Sequence, residues 1–396
     1  MSKLIADLIR SQPVAHSLHQ GLYNSPEVFA RDVDRIFGRY WVLAGHQSSA
    51  PNPGDWFLHE MADESVIIVR GKDMQLRAFA NVCRHRGSRI CRDSPGHGSR
   101  LICPYHGWVY ELDGSLAAAR LMPADFDLSS HGLKPTHIEV VEGLVFISIA
   151  DKPLSMNRAR ASIAAAVGPY GWSSARVAHR ETYPFAANWK LAVENYLECY
   201  HCAPAHPEYA RLHSAEKPIE RVAKLNEAME ARTRALGIKV GPIDYHVDSE
   251  IREQPFVGRR YSLYDGACTG SEDGRPVAPL MGAFTDYDGG VTSLLFAPSS
   301  FFIAYADHGV LYRFIPHTPM TSSLEVIWLV SGNAREGADY DLEKLVWMWR
   351  VTSEADKRIV EDNQLGVNSR FYEPGPYAPM EARVSAWIEW YLKEIA

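Results

Sequence analysis

The stretch NVCRHRGSRICRDSPGHGSRLICPYHGW places Cys83-x-His85 seventeen residues ahead of Cys103-x-x-His106. No other feature of the chain restricts its fold as much, because two Cys/His pairs at this spacing require two loops that meet at one inorganic centre. Two centres match the donor types. Zinc takes two thiolates and two imidazoles in a tetrahedron. A [2Fe–2S] cluster can take the thiolates on one iron and the imidazoles on the other. Each loop offers one Cys and one His, so each contributes to both irons, whereas a zinc finger more often pairs like with like. Gly87, Gly107 and Trp108 beside these residues suit loops whose backbone N–H groups turn towards sulfur. Cys91 and His97 lie between the loops, match no ligand position, and read as a small buried residue and a surface imidazole.

The double pair sits in a strand-rich stretch, residues 41–155, with short runs such as ESVIIVR and GLVFISIA ending at turn residues. Residues 1–40 read as helical: in SPEVFARDVDRIFGRYW, Ser25 is the N-cap, Pro26 takes the first helical position, and Val28, Phe29, Val33, Ile36 and Phe37 recur at helical spacing. Residues 156–396 begin with a helix over NWKLAVENYLECYHCA, continue with charged, partly helical sequence over 210–250, and pass through a Gly/Asp/Pro-rich, loop-like stretch over 255–280. Strands resume in SLLFAPSSFFIAYAD, GVLYRFIPHTP and SLEVIWLVSG, and the chain closes on two further helices. The net charge of −7 without a basic run argues against nucleic acid as a partner. No apolar run approaches the roughly 18–20 residues of a membrane span. The first residues lack a secretory core, so a cytoplasmic protein is expected. In that compartment the six cysteines are expected to be thiols or metal ligands rather than disulfides.

A second cluster of metal-capable residues lies in AVENYLECYHCAPAHPEYA, which holds Glu194, Glu198, Cys199, His201, Cys202 and His206. A separation of five between His201 and His206 is not one face of a helix. Pro204 is expected to break the helix between them and let both converge on a single ion. On paper Cys199, His201, Cys202 and His206 also make a closed zinc site.

Taken together, the two clusters resemble the large (α) subunit of the Rieske non-haem iron oxygenases, in which a C-x-H…C-x-x-H cluster motif precedes an E-N-x-x-(acid)-x-Y-H-x4-H motif. The resemblance implies an α+β protein: a small all-β Rieske [2Fe–2S] domain plus a larger catalytic domain, whose antiparallel sheet is flanked by helices in a helix-grip, START-like arrangement. It implies that Cys83, His85, Cys103 and His106 hold the cluster, and that His201 and His206 hold a mononuclear Fe(II). The third ligand is implied to be Asp356, five residues before the glutamate of an (I/V)VE step in TSEADKRIVEDNQLG, with Asp362 as the fallback. Cys199 and Cys202 are then small packing residues. His46, His59 and His308 show no partner pattern and are structural or surface histidines. Glu198 corresponds to the acidic residue that, in the family, bridges an iron-ligating histidine and a cluster histidine, here His201 and His106. Most ring dioxygenases carry aspartate there. Glutamate looks more like the branch acting on glycine betaine, carnitine and stachydrine.

The chain has no G-x-G-x-x-G fingerprint and no second cysteine cluster, so electrons are expected from a separate reductase or ferredoxin that draws on NAD(P)H. The resemblance further implies a homotrimer (α3), alone or as part of an α3β3 assembly, with the glutamate-type members usually trimers without the second subunit. The activity expected is O2-dependent C–H hydroxylation leading to N-demethylation of a quaternary ammonium or N-methyl substrate. The alternatives are ring dihydroxylation or dealkylation of a neutral aromatic, and a Rieske electron carrier without oxygenase activity. Tyr287, Phe301, Phe302, Tyr305, Tyr312 and Phe314 are candidates for the pocket wall.

Overall fold

The computed structural model describes residues 2–241 and 253–396, apart from the side chains of Glu216 and Ile219. Part of the charged stretch expected to be helical therefore lies outside the described residues. Helices α1 (Lys3–Ser11), α2 (Gln20–Asn24) and α3 (Pro26–Asp32) open the chain. The Ser25 hydroxyl accepts from the Val28 N–H to cap α3, and Pro26 leads the helix, where its missing N–H costs nothing.

Ten strands follow: β1 (Val42–His46), β2 (Asp55–Met61), β3 (Glu64–Arg70), β4 (Leu76–Ala80), β5 (Gly96–His97), β6 (Leu101–Ile102), β7 (Val109–Tyr110), β8 (Leu116–Ala118), β9 (His137–Val141) and β10 (Leu144–Ser148). They form three antiparallel sheets, ordered β1-β10-β9, β4-β3-β2-β5 and β6-β7-β8. A small core of its own, including Ile67, Phe79, Trp108 and Tyr110, closes around Cys83 and Cys103.

After α4 (Asn157–Val167), strand β11 (Ala175–Phe185) starts the second half. Helices α5 (Trp189–Leu197), α6 (Cys202–Ala205), α7 (Pro207–Ala210) and α8 (Ile219–Ala235) follow, then β12 (Phe256–Ser262), β13 (Gly290–Phe296), β14 (Ser300–Ala304), β15 (Gly309–Thr318) and β16 (Thr321–Ser331), then α9 (Leu342–Val367) and α10 (Ala382–Ile395). The six strands make one antiparallel sheet in the order β11-β16-β15-β14-β13-β12. Helices α5 and α9 pack on one face, and Phe146 of β10 meets Phe296 and Phe302 at 4.4 and 6.1 Å. With cover on both faces, β14 and β16 read as near-continuous apolar runs rather than alternating ones.

Two expectations are corrected here. Residues 256–262 are strand β12 rather than loop, and β11, which the sequence pattern left unassigned, is the opposite edge of the sheet. Both pair on one side only and carry half-exposed polar residues, so neither shows the buried pattern of a central strand. The helix over NWKLAVENYLECYHCA ends at Leu197, well before Pro204.

The amino-terminal helices are tied to the catalytic half by a buried charge cluster. Asp32 accepts from Lys190, from Trp189 Nε1 at 3.1 Å and from the Tyr391 hydroxyl at 2.7 Å, and all four side chains are fully buried. Burial pushes the Asp32 carboxyl above its ordinary range and the Lys190 amine below its own. The two halves meet where the Arg313 guanidinium of β15, paired with Glu325, donates to His59 Nδ1 of β2 at 2.6 Å. Among the described residues no helix is long and apolar enough to cross a membrane.

Candidate active site

The two Cys/His loops are built alike. The Cys83 N–H bonds the Ser88 carbonyl at 2.8 Å and the Gly87 N–H returns to the Cys83 carbonyl at 3.0 Å; Cys103 makes the same pair of bonds with Trp108 and Gly107, at 2.9 and 3.0 Å. Gly87 and Gly107 have φ of +77° and +70°, the left-handed conformation that closes such a loop without a side-chain penalty. The loops bring the two thiols together in the small core and set His85 Nδ1 3.1 Å from His106 Nδ1 at the surface. The Tyr110 hydroxyl lies 3.3 Å from Cys83 Sγ. Trp108 stacks on His85 with centroids 4.8 Å apart, and Tyr105 on His106 at 3.8 Å. Buried sulfur inside and two converging imidazoles outside fit a two-iron cluster with unlike ends. Cys91 is a buried free thiol, and His97 is exposed beside Asp55 at 2.7 Å.

The second centre rests on a broken chain segment beside one long helix. α5 ends where Glu198 turns extended (φ −130°, ψ 170°). Its carboxylate accepts the Tyr200 N–H and, at 3.2 Å, the His201 N–H, donor groups that a continuing helix would have paired with backbone carbonyls. The break thus falls at 198–201 and again at His206, and Pro204 lies inside the short α6 between them. This corrects the expected break at Pro204 but still brings the two histidines together.

Asp356 sits in the middle of α9, a helix capped by Asp341 and roughly 39 Å long at 1.5 Å per residue. Asp356 Oδ1 lies 3.3 Å from His201 Nε2 and 3.2 Å from His206 Nε2. These are about the separations of neighbouring donors on one ion with bonds of about 2.1 Å. His206 Nε2 and Asp356 Oδ1 are buried yet have no partner with hydrogen-bond geometry among the described residues, as expected of atoms aimed at a common ion. Burial alone would raise the Asp356 carboxyl, but His201 and His206 hold it at about 2. Burial would lower His201, and Asp356 and Glu198 instead raise it to about 9. Two imidazoles and one carboxylate are a donor set that fits a non-haem iron. Asp362 and Glu354 are exposed and take no part.

Glu198 Oε1 stands 2.5 Å from His201 Nδ1, which orients the ring so that Nε2 faces Asp356 and would be free to meet an ion. Among the described residues no contact joins Glu198 to His85 or His106 of the same chain. Cys199 and Cys202 are not free packing thiols: they form a disulfide with Cα atoms 4.9 Å apart. The turn after Glu198 brings them within bonding reach, which an argument from compartment could not foresee. Ligand atoms of His201, Cys202 and His206 lie within 4.8 Å of one another, but a disulfide sulfur offers no thiolate, so in the disulfide form neither cysteine supplies a zinc ligand.

A cavity opens over this centre. Its floor is the alternating set Val257, Arg259 and Tyr261 of β12 with Ser293 and Leu295 of β13, and Phe301 and Ile303 of β14; Trp349, Trp387, Trp390 and Tyr196 add aromatic wall from helices. Of the six aromatic residues expected there, only Phe301 lines it. Phe302 packs with Phe146, Tyr287 bonds towards Asp307, Tyr305 holds His213, and Tyr312 and Phe314 lie behind Tyr196. Tyr209, unremarked in the sequence, meets His206 edge-on at 5.5 Å and is backed by His213, stacked at 3.9 Å. Burial keeps His213 neutral, at about 3, and its Nε2 pairs with the Tyr305 hydroxyl at 2.7 Å. His46, His59 and His308 are buried and hydrogen-bonded away from both centres.

Residues 40–132 match the model of the Rieske [2Fe-2S] domain, and residues 173–396 that of the ring hydroxylating alpha subunit, catalytic domain. The chain is 35% identical, over 98% of its length and 87% of the relative's, to the glycine betaine monooxygenase oxygenase subunit of Chromohalobacter salexigens. Among solved structures it resembles a quaternary ammonium Rieske monooxygenase in complex with L-carnitine (TM-score 0.72, 23% identity, 100% of both chains covered). It resembles naphthalene 1,2-dioxygenase from Rhodococcus sp. bound to indole to the same degree (TM-score 0.73, 18% identity, 100% and 98% covered). The shared fold alone therefore does not choose a substrate class.

Proposed function

The chain belongs to the ring-hydroxylating oxygenase alpha subunits that carry a Rieske [2Fe-2S] domain and a mononuclear iron centre, and on that premise we propose that it is the terminal oxygenase of a system that N-demethylates a quaternary ammonium compound. The observation that carries this reading is the convergence of His201, His206 and Asp356 at the end of a cavity walled by tyrosine and tryptophan rings. Cys83, His85, Cys103 and His106 hold the cluster, and His201, His206 and Asp356 hold iron. Iron in that site supplies reductive activation of O2.

The residues of the chain do the rest. The aromatic walls exclude water and present negative ring faces to a trimethylammonium group, an attraction of roughly 0.5–2 kcal/mol per ring. Glu198 holds the Nδ1 proton of His201 and responds to the charge on that ring. Hydroxylation of an N-methyl group consumes one O2, two electrons and two protons and releases water; the cationic carbinolamine then loses formaldehyde and its hydroxyl proton, which leaves the tertiary amine. The electrons come from NAD(P)H through a separate reductase, since no nucleotide fingerprint is present. The family likeness supports a ring of three chains, in which His106 of one would face Glu198 of the next. Likeness to a glycine betaine monooxygenase subunit over nearly the whole chain favours this substrate class over neutral aromatics.

The test is turnover by the purified protein with a reductase and NADH, following O2 uptake and formaldehyde. Quaternary ammonium compounds should give stoichiometric formaldehyde. Coupled oxidation of neutral aromatics with quaternary amines inert would overturn the proposal. A His201→Ala protein that kept full turnover would remove the iron-site assignment.

A further inference from the structure

Resting on the reading of the cavity as a quaternary ammonium site, we propose that Arg259 anchors a substrate carboxylate, so that the substrate is a small zwitterion carrying ammonium and carboxylate rather than a bare cation. Along β12 the side chains alternate. Val257, Arg259 and Tyr261 line the cavity, opposite Leu295, Ser293 and Val291 of β13. Arg260 points the other way and is held there by Asp288 and Thr233.

Of the other arginines in this sheet, Arg180, Arg260 and Arg313 each have a carboxylate partner, in Glu325, Asp288 and Glu325, and Arg176 gives its donors to the Ala334 carbonyl and the Tyr340 hydroxyl. Arg259 has no carboxylate partner among the described residues, and its buried Nε has no hydrogen-bond partner. Its guanidinium lies over the Tyr261 ring, 4.7 Å from the centroid. That stacking fixes the plane of the fork without using its donors. A planar guanidinium with free N–H groups is shaped for two parallel bonds to one carboxylate.

The position also suits. The Tyr261 hydroxyl lies 3.2 Å from that of Tyr209, and Tyr209 borders His206, so Arg259 looks across two rings towards the metal-facing histidines. A molecule held at Arg259 by its carboxylate places the rest of itself between Arg259 and that centre.

Charge gives the selection. Arg259 lines the cavity, whose two carboxylates, Glu198 and Asp356, are already engaged by His201 and His206. A bare ammonium ion therefore enters a field that is not negative, and ring faces alone must hold it. A betaine cancels Arg259 with its own carboxylate. Choline, which carries the same trimethylammonium group and a hydroxyl instead of the carboxylate, has nothing to offer that arginine.

The experiment measures steady-state turnover of glycine betaine and choline by the native protein, Arg259→Gln and Arg259→Lys, with cluster absorbance and iron content as checks on folding. 3,3-Dimethylbutanoate, the uncharged-head analogue that keeps the carboxylate, serves as competitive inhibitor. Native protein should favour glycine betaine over choline by about 100-fold in kcat/KM. A lost hydrogen-bonded charge partner corresponds to about 10- to 100-fold. Arg259→Gln should therefore raise the KM for glycine betaine and the Ki for 3,3-dimethylbutanoate by that factor, with the loss in KM rather than kcat. Arg259→Lys should recover part of it. Choline turnover within about three-fold of glycine betaine, or an Arg259→Gln protein with unchanged KM and Ki, would overturn the anchor and leave the quaternary ammonium reading standing. A native protein that oxidises neither compound but couples neutral aromatics would overturn that reading and the anchor with it.

Discussion

Replacing Glu198 by glutamine separates two roles for this carboxylate by magnitude. It accepts the Tyr200 and His201 N–H groups and, at 2.5 Å, faces His201 Nδ1. Glutamine keeps the length and one acceptor oxygen but loses the charge. A hydrogen bond to a charged group contributes about 1.5–3 kcal/mol against about 1 for a neutral one. The exchange therefore weakens the hold on His201 by on the order of 1–2 kcal/mol, a factor of about 5–30. If the same carboxylate also engages a cluster histidine of a neighbouring chain, a second bond of this kind goes with it, and the factors multiply to roughly 25–900. The assay is single turnover: reduced Glu198→Gln protein is mixed with O2 and substrate, and the decay of the reduced-cluster EPR signal is timed. Iron content and cluster absorbance should be native. A loss of about 100-fold or more supports the bridge. A loss of only about 5–30-fold would assign Glu198 to orienting His201 alone, and a native rate would refute both roles.

Asp356→Ala should cost one iron per chain while the cluster spectrum stays intact, by metal analysis and visible absorbance; full iron content would reassign the third ligand. Burial, against the pull of Tyr23 and Lys190, pushes Glu194 up to about 8. The folded state then holds a proton that the unfolded chain has shed above about pH 4.3, so this group's contribution to stability is complete below that pH and is lost as pH rises to about 8. Denaturant curves should lose on the order of 3–5 kcal/mol over that window, and Glu194→Gln, which still accepts from Tyr23, should flatten it; parallel curves for the two proteins would contradict the buried protonated carboxyl. Asp32→Asn leaves Lys190 buried without its counter-charge and should destabilise by about 3–5 kcal/mol, with much of that recovered in an Asp32→Leu/Lys190→Met double variant. A shift below about 1 kcal/mol would mean the pair is not what ties α3 to α5.

What could be read from the sequence follows from how local each requirement is. Metal chemistry fixes residue types at short spacings, so Cys83, His85, Cys103, His106, His201 and His206 stand out in two brief stretches, and only Asp356 had to be sought at a distance. The cavity is the opposite case. Its walls come from β12, β13, β14, α5, α9 and α10, and alternation along a strand tells that two faces exist without saying which one meets the ligand. Phe301 and Phe302 are neighbours in sequence, yet one lines the cavity and the other packs against Phe146. The end of α5 was hidden for a different reason. Its sequence is helical in propensity through Cys202, and only the capture of two backbone N–H groups by the Glu198 side chain turns it aside. The disulfide between Cys199 and Cys202 depends on that same turn.

The position of β12 at the rim of the six-stranded sheet bears on how such a protein diverges. His201, His206 and Asp356 stand on a folded-back segment and a long interior helix, while Arg259 and Tyr261 sit on a strand bonded along one side only. Exchanging their side chains changes what the cavity offers a ligand without touching His201, His206 or Asp356.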